Sequence, residues 1–253
     1  MIGIIMTIKI LVATHKPYRM PADPVYLPLQ VGAAGKAALG FRRDDDGENI
    51  SAKNANWCEL TGVYWAWKNL EADAVGLAHY RRHFKGREGI ATGNEIGEML
   101  RETDVILPKK RNYFIETTYS QYAHAHHAQD LDLTRQILME RHPDYVASFD
   151  LAMAATKGHR FNMFVMRRNL FDDYCAWLFD VLTELERRLD VTSYSPYDAR
   201  VFGFVSERLL DVWLVRRQVR VRELPVLHLE GQHWISKGLS FLRRKFLPHC
   251  AQK

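Results

Sequence analysis

The stretch Val75 to Phe84 (VGLAHYRRHF) constrains this chain more than any other. It opens as a short apolar run with a β-branched residue and a glycine, the pattern of a strand buried on both faces. It then turns polar and basic, delivering His79, Tyr80, Arg81, Arg82 and His83 together. A helical stretch precedes it, with Trp57, Leu60, Tyr64 and Trp67 at three- and four-residue steps and Ser51 or Asn54 as its cap. A short helical stretch over Gly93 to Glu102 and a second buried run, Asp104 to Pro108, follow it, and the β-branched run Ile8 to Ala13 lies near the start. Strands alternating with helices predict an α/β fold with a mostly parallel central sheet flanked by helices. In such sheets ligands bind where the chain leaves the carboxyl ends of strands. Two adjacent guanidiniums there suit a phosphate, because each offers two parallel N–H donors.

With 253 residues there is room for one large α/β domain. The net charge of +5 and a pI near 9.1 favour acidic partners: nucleotide, sugar phosphate, nucleic acid or anionic membrane. Nucleic acid is disfavoured, because the basic residues, Lys109, Lys110 and Arg111 among them, follow separate strands rather than lining one helix or strand face. There is no P-loop and no compact zinc signature, which argues against a phosphoryl-transfer or hydrolytic enzyme. A non-catalytic nucleotide or nucleic-acid-binding protein is the alternative from another class. Cys58 and Cys175 lie in helical patterns and read as reduced core thiols. No run approaches the roughly 18 apolar residues of a membrane span. Met1 to Ile5 lacks a basic flank and a cleavage site. The cytoplasm, or the inner face of the plasma membrane, is the expected location.

Elsewhere, Leu27 to Gly40 reads as loop, and Arg42 to Gly47 (RRDDDG) as a solvated charged turn. Tyr119 to Asp132 is histidine-rich, and Asp130-Leu131-Asp132 reads as the acidic start of a helix. Gly158 to Met166 reads as a glycine turn and a strand, in which Asn162 is either a satisfied buried amide or a ligand contact. Long helices are predicted over Leu170 to Leu189 and Tyr197 to Arg216. The second carries Asp198, Arg200, Glu207 and Arg208 in apolar surroundings, where charges need partners or a function. Arg220 to Leu229 reads as a last strand. Ser236 to Leu247 has Leu239, Leu242 and Phe246 on one helical stripe beside Lys237, Arg243, Arg244 and Lys245, a pattern suited to an anionic lipid surface.

From about Ile10 to Trp234 the chain resembles a family of bacterial capsular and exopolysaccharide glycosyltransferases long known only as a domain of unknown function. The segments that carry the resemblance are Asn49-Ile50-Ser51 with Lys53-Asn54, Glu59-Leu60-Thr61 with Tyr64 to Asn69, Gly76 to Arg82, His126-His127, Asp130-Leu131-Asp132, Asn162-Met163-Phe164, and Arg200 to Phe204 with Ser206-Glu207-Arg208. The resemblance implies a single GT-A-like (Rossmann-like) domain over residues 7–235, with 236–253 as a basic amphipathic tail. It implies a UDP-sugar donor, galactose in pyranose or furanose form, and a saccharide or lipid-linked saccharide acceptor in capsule, exopolysaccharide or O-antigen synthesis. Thr14, His15, Asn49, Lys53, His79, Tyr80, Arg81 and Arg82 would bind the donor, and His127 and Asn162 the acceptor. Asp198, Glu207 and Asp132 are the candidate catalytic carboxylates. The end of the chain is also similar to the glycogenin and lipopolysaccharide-galactosyltransferase group, with Asn162, Asp198 and His228 in the corresponding places. GT-A enzymes usually end a central strand with DxD and a divalent metal. Here that strand ends in His79-Tyr80-Arg81-Arg82, so no essential metal is expected and the arginines would neutralise the diphosphate.

Overall fold

Ile10 to Ala13 are all buried although successive side chains point to opposite faces, so the first strand lies inside a sheet covered on both sides. The computed structural model describes residues 6–230. Strands β1 (Ile8–Thr14), β2 (Tyr26–Gln30) and β3 (Arg42–Arg43) come first, then helices α1 (Asn54–Trp57) and α2 (Leu60–Asn69). β4 (Ala74–His79), β5 (Arg82–Gly86), β6 (Gly89–Ile90), α3 (Gly93–Glu102) and β7 (Val105–Pro108) follow. β8 (Arg111–Asn112) leads into α4 (Thr118–Ala125), α5 (Ala128–Arg141) and α6 (Val146–Ala154). The chain returns through β9 (Lys157–Gly158) and β10 (Phe164–Arg167), then α7 (Arg168–Arg188), α8 (Val201–Arg217), β11 (Val221–Leu224) and β12 (Val226–His228).

The main sheet runs β11-β7-β10-β4-β1-β2-β3. It is mostly parallel, as the alternation predicts: β1 pairs in parallel with β2 and β4, β2 with β3, and β7 with β11. Strand β10 is antiparallel to both β4 and β7. The reason is topological. Helices α4 to α6 carry the chain away from the carboxyl end of β7 and bring it back at that same end, so the next strand must run the other way. One apolar cluster packs Leu11, Leu77 and Phe164 with Trp57, Phe171 and Trp213; the opposite face packs Ile10, Ala78 and Val165 with Ile96 and Leu100. Gly76 sits where β1, β4 and β10 crowd together. A Cβ there would lie 2.8 Å from the Phe164 carbonyl oxygen, so only glycine fits.

Three expectations change. The loop over Leu27 to Gly40 contains β2, which Pro28 disguises; the strand persists because Leu29 and Gln30 are buried between β1 and β3. The aromatic stripe from Trp57 is split between α1 and α2 at Cys58, whose φ is +52°. Neither expected cap acts as one: Asn54 Nδ2 donates to Cys58 O, and Ser51 Oγ donates to Asp44. Asp44, in the charged turn, is fully buried rather than solvated. It accepts from Gly32 N, Ala33 N, Ser51 Oγ and Thr61 Oγ1 at 2.5–2.9 Å, stapling the β2 exit to α2. Among the described residues no helix is long and apolar enough to cross a membrane. The basic stretch 236–247 lies outside them.

Candidate active site

The register pairs Ala13 with His79, so the carboxyl ends of β1 and β4 lie side by side. There Tyr80 is a buried hub. The His15 ring meets it edge-on at 5.5 Å, Tyr18 approaches at 5.0 Å, and Lys16 and Arg81 lie 5.2 and 5.0 Å from its centroid. Burial, followed by the charges of Lys16 and Arg81, holds His15 below its ordinary pKa. Thr14 is buried and its hydroxyl donates to Lys16 O at 2.7 Å, shaping this turn. Arg81 pairs with Glu230 at 3.0 Å.

A tight hairpin places Arg82 opposite His79, as the first residue of β5. Its guanidinium lies 4.5 Å from the Phe161 ring centroid, and among the described residues its buried Nε has no hydrogen-bond partner. Arg160 lies 5.0 Å from the same ring. Burial depresses the pKa of both arginines. Arg81 adds to this at Arg82, and Glu207 opposes it at each. No hydrogen bond or ion pair engages Arg160 among the described residues. Two partly desolvated cations that share one aromatic ring without a matching carboxylate each are costly, and an anionic ligand removes that cost.

The loop before β10 that carries Arg160 and Phe161 is held firmly. Phe161 and Asn162 both have left-handed backbones, φ +74° and +52°, which a phenylalanine adopts only under constraint. His79 supplies one constraint: its Nε2 donates to Phe161 O at 2.6 Å, since a carbonyl can only accept. Asn162 supplies the other. Its amide nitrogen donates to Glu59 Oε1 and Gly203 O at 2.8 and 3.1 Å, and its oxygen accepts from Ser206 Oγ at 3.0 Å. Both donor hydrogens are engaged internally. Of its two sequence readings, these bonds fit the satisfied buried amide, and Asn162 positions the backbone of Phe161.

A second group lies just before and along α8 and at the junction of α4 with α5. Asp198 accepts from Ser195 Oγ at 2.6 Å, with His126 Nδ1 at 3.6 Å and His127 Nε2 at 3.9 Å. His126 stacks on Phe204 at 4.1 Å, and His127 on Tyr194 at 4.1 Å. Burial, aided by Arg208, pushes the His126 pKa down to about 4, so it is neutral at ordinary pH. Glu207 pairs with Arg208 at 2.9 Å, and Arg208 also reaches Gln121. Arg200 links the two groups, with Nε on Cys58 Sγ at 3.2 Å and its guanidinium 5.4 Å from the Phe204 ring. Burial pushes the Cys58 thiol up to about 11.

Other expected residues lie elsewhere. Lys53 pairs with Glu186 at 2.5 Å and lies 5.6 Å from the Trp57 ring. Asn49 closes a local turn, donating to Gly47 O and accepting from Ser51 N. The two aspartates of Asp130-Leu131-Asp132 diverge on α5. Asp130 is buried, accepting from Tyr122 and Tyr194, while Asp132 is exposed and accepts from Tyr119. They cannot converge on one ion, and no group of three or more metal-ligating side chains occurs among the described residues. A hollow of about 640 Å³, lined by Lys68, Asp73 and Arg168 among others, lies at the opposite end of the strands, beside the starts of β1 and β4.

Residues 9–218 match the model of a family described as a domain of unknown function, DUF4422. The chain belongs to that family. It is also similar to a solved structure, the WbbM bifunctional glycosyltransferase in its apo form, with 31% sequence identity and a TM-score of 0.84. The match covers 89% of this chain and 46% of that one, so this chain spans about half the length of the solved protein. No curated protein matches. In this DUF4422 chain the sequence reading missed Arg160, because Gly158 to Met166 looked like one turn and strand. The signal was present as an arginine directly before an apolar run.

Proposed function

We propose that this chain is a glycosyltransferase that moves a hexose from a UDP-sugar to a saccharide hydroxyl. The observation that carries the reading is the cluster of Arg82 and Arg160 on Phe161, at the strand carboxyl ends of a fold shared with a glycosyltransferase. Transfer breaks the bond between the anomeric carbon and the diphosphate oxygen, and the electron pair leaves with the diphosphate. Arg82 and Arg160, with Arg81 at the rim, stabilise that charge inside a partly dry site. His15, Tyr18 and Tyr80 line the nucleotide end. Tyr194, Tyr197 and Phe204 offer ring faces on which an acceptor sugar can lie. In a direct displacement Asp198 takes the acceptor proton as the oxygen attacks; Glu207 is less suited, because Arg208 already pairs with it.

The residues at the strand end do not fit the divalent metal usual in GT-A enzymes: they are cationic, and Asp130 and Asp132 diverge. No step is assigned to a metal. Galactose, as pyranose or furanose, and an acceptor in capsule, exopolysaccharide or O-antigen synthesis are the preferred substrates on the family resemblance. The test is UDP release from a panel of UDP-sugars, with and without chelator. Release from one sugar that survives chelator supports the reading. Complete loss with chelator, restored by manganese, would overturn the arginine assignment; no release from any donor would overturn the transferase.

A further inference from the structure

Residues 109–115 run off the carboxyl end of β7 as KKRNYFI. Lys109, Lys110 and Arg111 are exposed, and so is Lys157, which pairs with Asn112 across the β8–β9 ladder. Tyr113 turns inward and is buried, whereas Phe114 and Ile115 project into solvent, each 79% exposed. Large apolar side chains at that exposure forgo the stabilisation of burial. Phe114 also has a left-handed backbone, φ +61°, unfavourable for an aromatic residue. The turn that imposes it is well built. Phe114 N donates to Asn112 Oδ1 at 2.8 Å, and Tyr113 N donates to Thr156 O at 2.8 Å. The exposed pair is thus displayed by a fixed turn. Glu116 is the acidic residue within 109–117, and it faces His124 at 2.5 Å.

We propose that this turn docks the protein on an anionic membrane surface. Phe114 and Ile115 enter the boundary between headgroups and acyl chains, while Lys109, Lys110, Arg111 and Lys157 face acidic headgroups. Two side chains are far too little for a stable protein partner, which needs about 800 Å² from each side. A membrane requires less, provided a small apolar insertion is joined by a second, electrostatic signal, and the basic collar supplies it. The position also matters. The β8–β9 stem leads directly into His159 and Arg160, and Arg111 is near enough for its charge to act on Arg160. Docking here would set the mouth of the candidate site at the lipid surface, where a lipid-linked acceptor is presented.

The test is co-sedimentation of the full chain with vesicles of phosphatidylglycerol and phosphatidylcholine, against phosphatidylcholine alone, at low salt and without sugar donor. Its outcome is therefore independent of the transfer reaction. The intact protein should bind the anionic vesicles only. Phe114→Ser with Ile115→Ser should weaken partitioning at least about tenfold. Lys109→Gln, Lys110→Gln and Arg111→Gln together should weaken it by about fivefold per charge. Thermal unfolding should be unchanged in both variants, because the substituted side chains are exposed. Absence of binding by the intact protein overturns the proposal. So does wild-type binding by the Phe114/Ile115 variant, which would place attachment in charge alone or in residues 236–247. A self-association in the absence of lipid that the Phe114/Ile115 variant abolishes would assign the turn to a second copy instead.

Discussion

Replacing Arg82 with alanine separates a ligand-binding arginine from a structural one. In the free protein the Arg82 guanidinium is half-buried, its Nε lacks a partner among the described residues, and its nearest cations are repulsive. Removing it loses a contact with the Phe161 ring of about 0.5–1 kcal/mol and relieves an unmet desolvation cost of similar size. Stability should therefore change by less than about 1 kcal/mol. Catalysis should change far more. A charge-assisted contact to a departing diphosphate in a partly dry site is worth about 2–4 kcal/mol of barrier, a loss of roughly 30- to 800-fold in turnover. Arg82→Lys should recover part of this, because it keeps the charge but not the planar fork. Arg160→Ala should behave alike, and the double variant should lose less than the product of the two, since both act on one group. Arg81→Ala should cost less, about tenfold at most, because Arg81 is more exposed and already paired with Glu230. The assay is UDP release alongside thermal unfolding of the same preparations. Arg82→Ala turnover within threefold of wild type, or a collapse in melting temperature, refutes the reasoning.

Asp44→Ala leaves two backbone N–H groups and the Ser51 hydroxyl without their acceptor, and the Thr61 hydroxyl with only its longer contact to Cys58 O, so denaturant unfolding should show a loss of about 3–5 kcal/mol; a change under 1 kcal/mol would mean that water replaces the carboxylate. Asp198→Asn should cut transfer to an added acceptor by about 100-fold or more while leaving UDP affinity unchanged, and near-normal transfer would move the base to Glu207. Burial holds His83 and His126 down to about 4, so between pH 6.5 and 4 the unfolded chain takes up protons that the folded chain does not. Stability should therefore fall as pH drops through that window, by at most about 1.4 kcal/mol per pH unit for each histidine. His83→Phe should flatten the slope in urea unfolding at pH 7, 6 and 5, and an unaltered slope would show that His83 is not held neutral.

The parallel part of the sheet was legible because Ile8–Thr14, Ala74–His79 and Val105–Pro108 are apolar runs between helical patterns. Direction was not legible for β10, since a four-residue apolar strand reads the same both ways and only the route of the preceding helices sets its sense. The site was half legible. His79 to Arg82 and His15 are contiguous with strand ends, so topology alone brings them together. Asn162, Asp44 and Lys53 depended on partners distant in the chain: Glu59 with Gly203, Thr61, and Glu186. Local spacing carries no record of such pairings. Asp130 and Asp132 do lie at the acidic start of a helix, as their sequence suggests, and helix geometry sends the two side chains apart.

The β8–β9 ladder has a consequence for how this fold can diversify. Residues 113–156 leave the sheet and return through that one hydrogen-bonded stem, Arg111 opposite Gly158 and Asn112 opposite Lys157. They form a cassette: its length and the residues on its outer side can change without altering any pairing in the main sheet, provided its inner helices still match α7 and α8. That cassette holds His126, His127 and the Phe114–Ile115 turn, while the arginine-bearing strand ends lie outside it. Grafting it between family members should exchange what receives the sugar, and where, and leave the handling of the nucleotide diphosphate to the recipient scaffold.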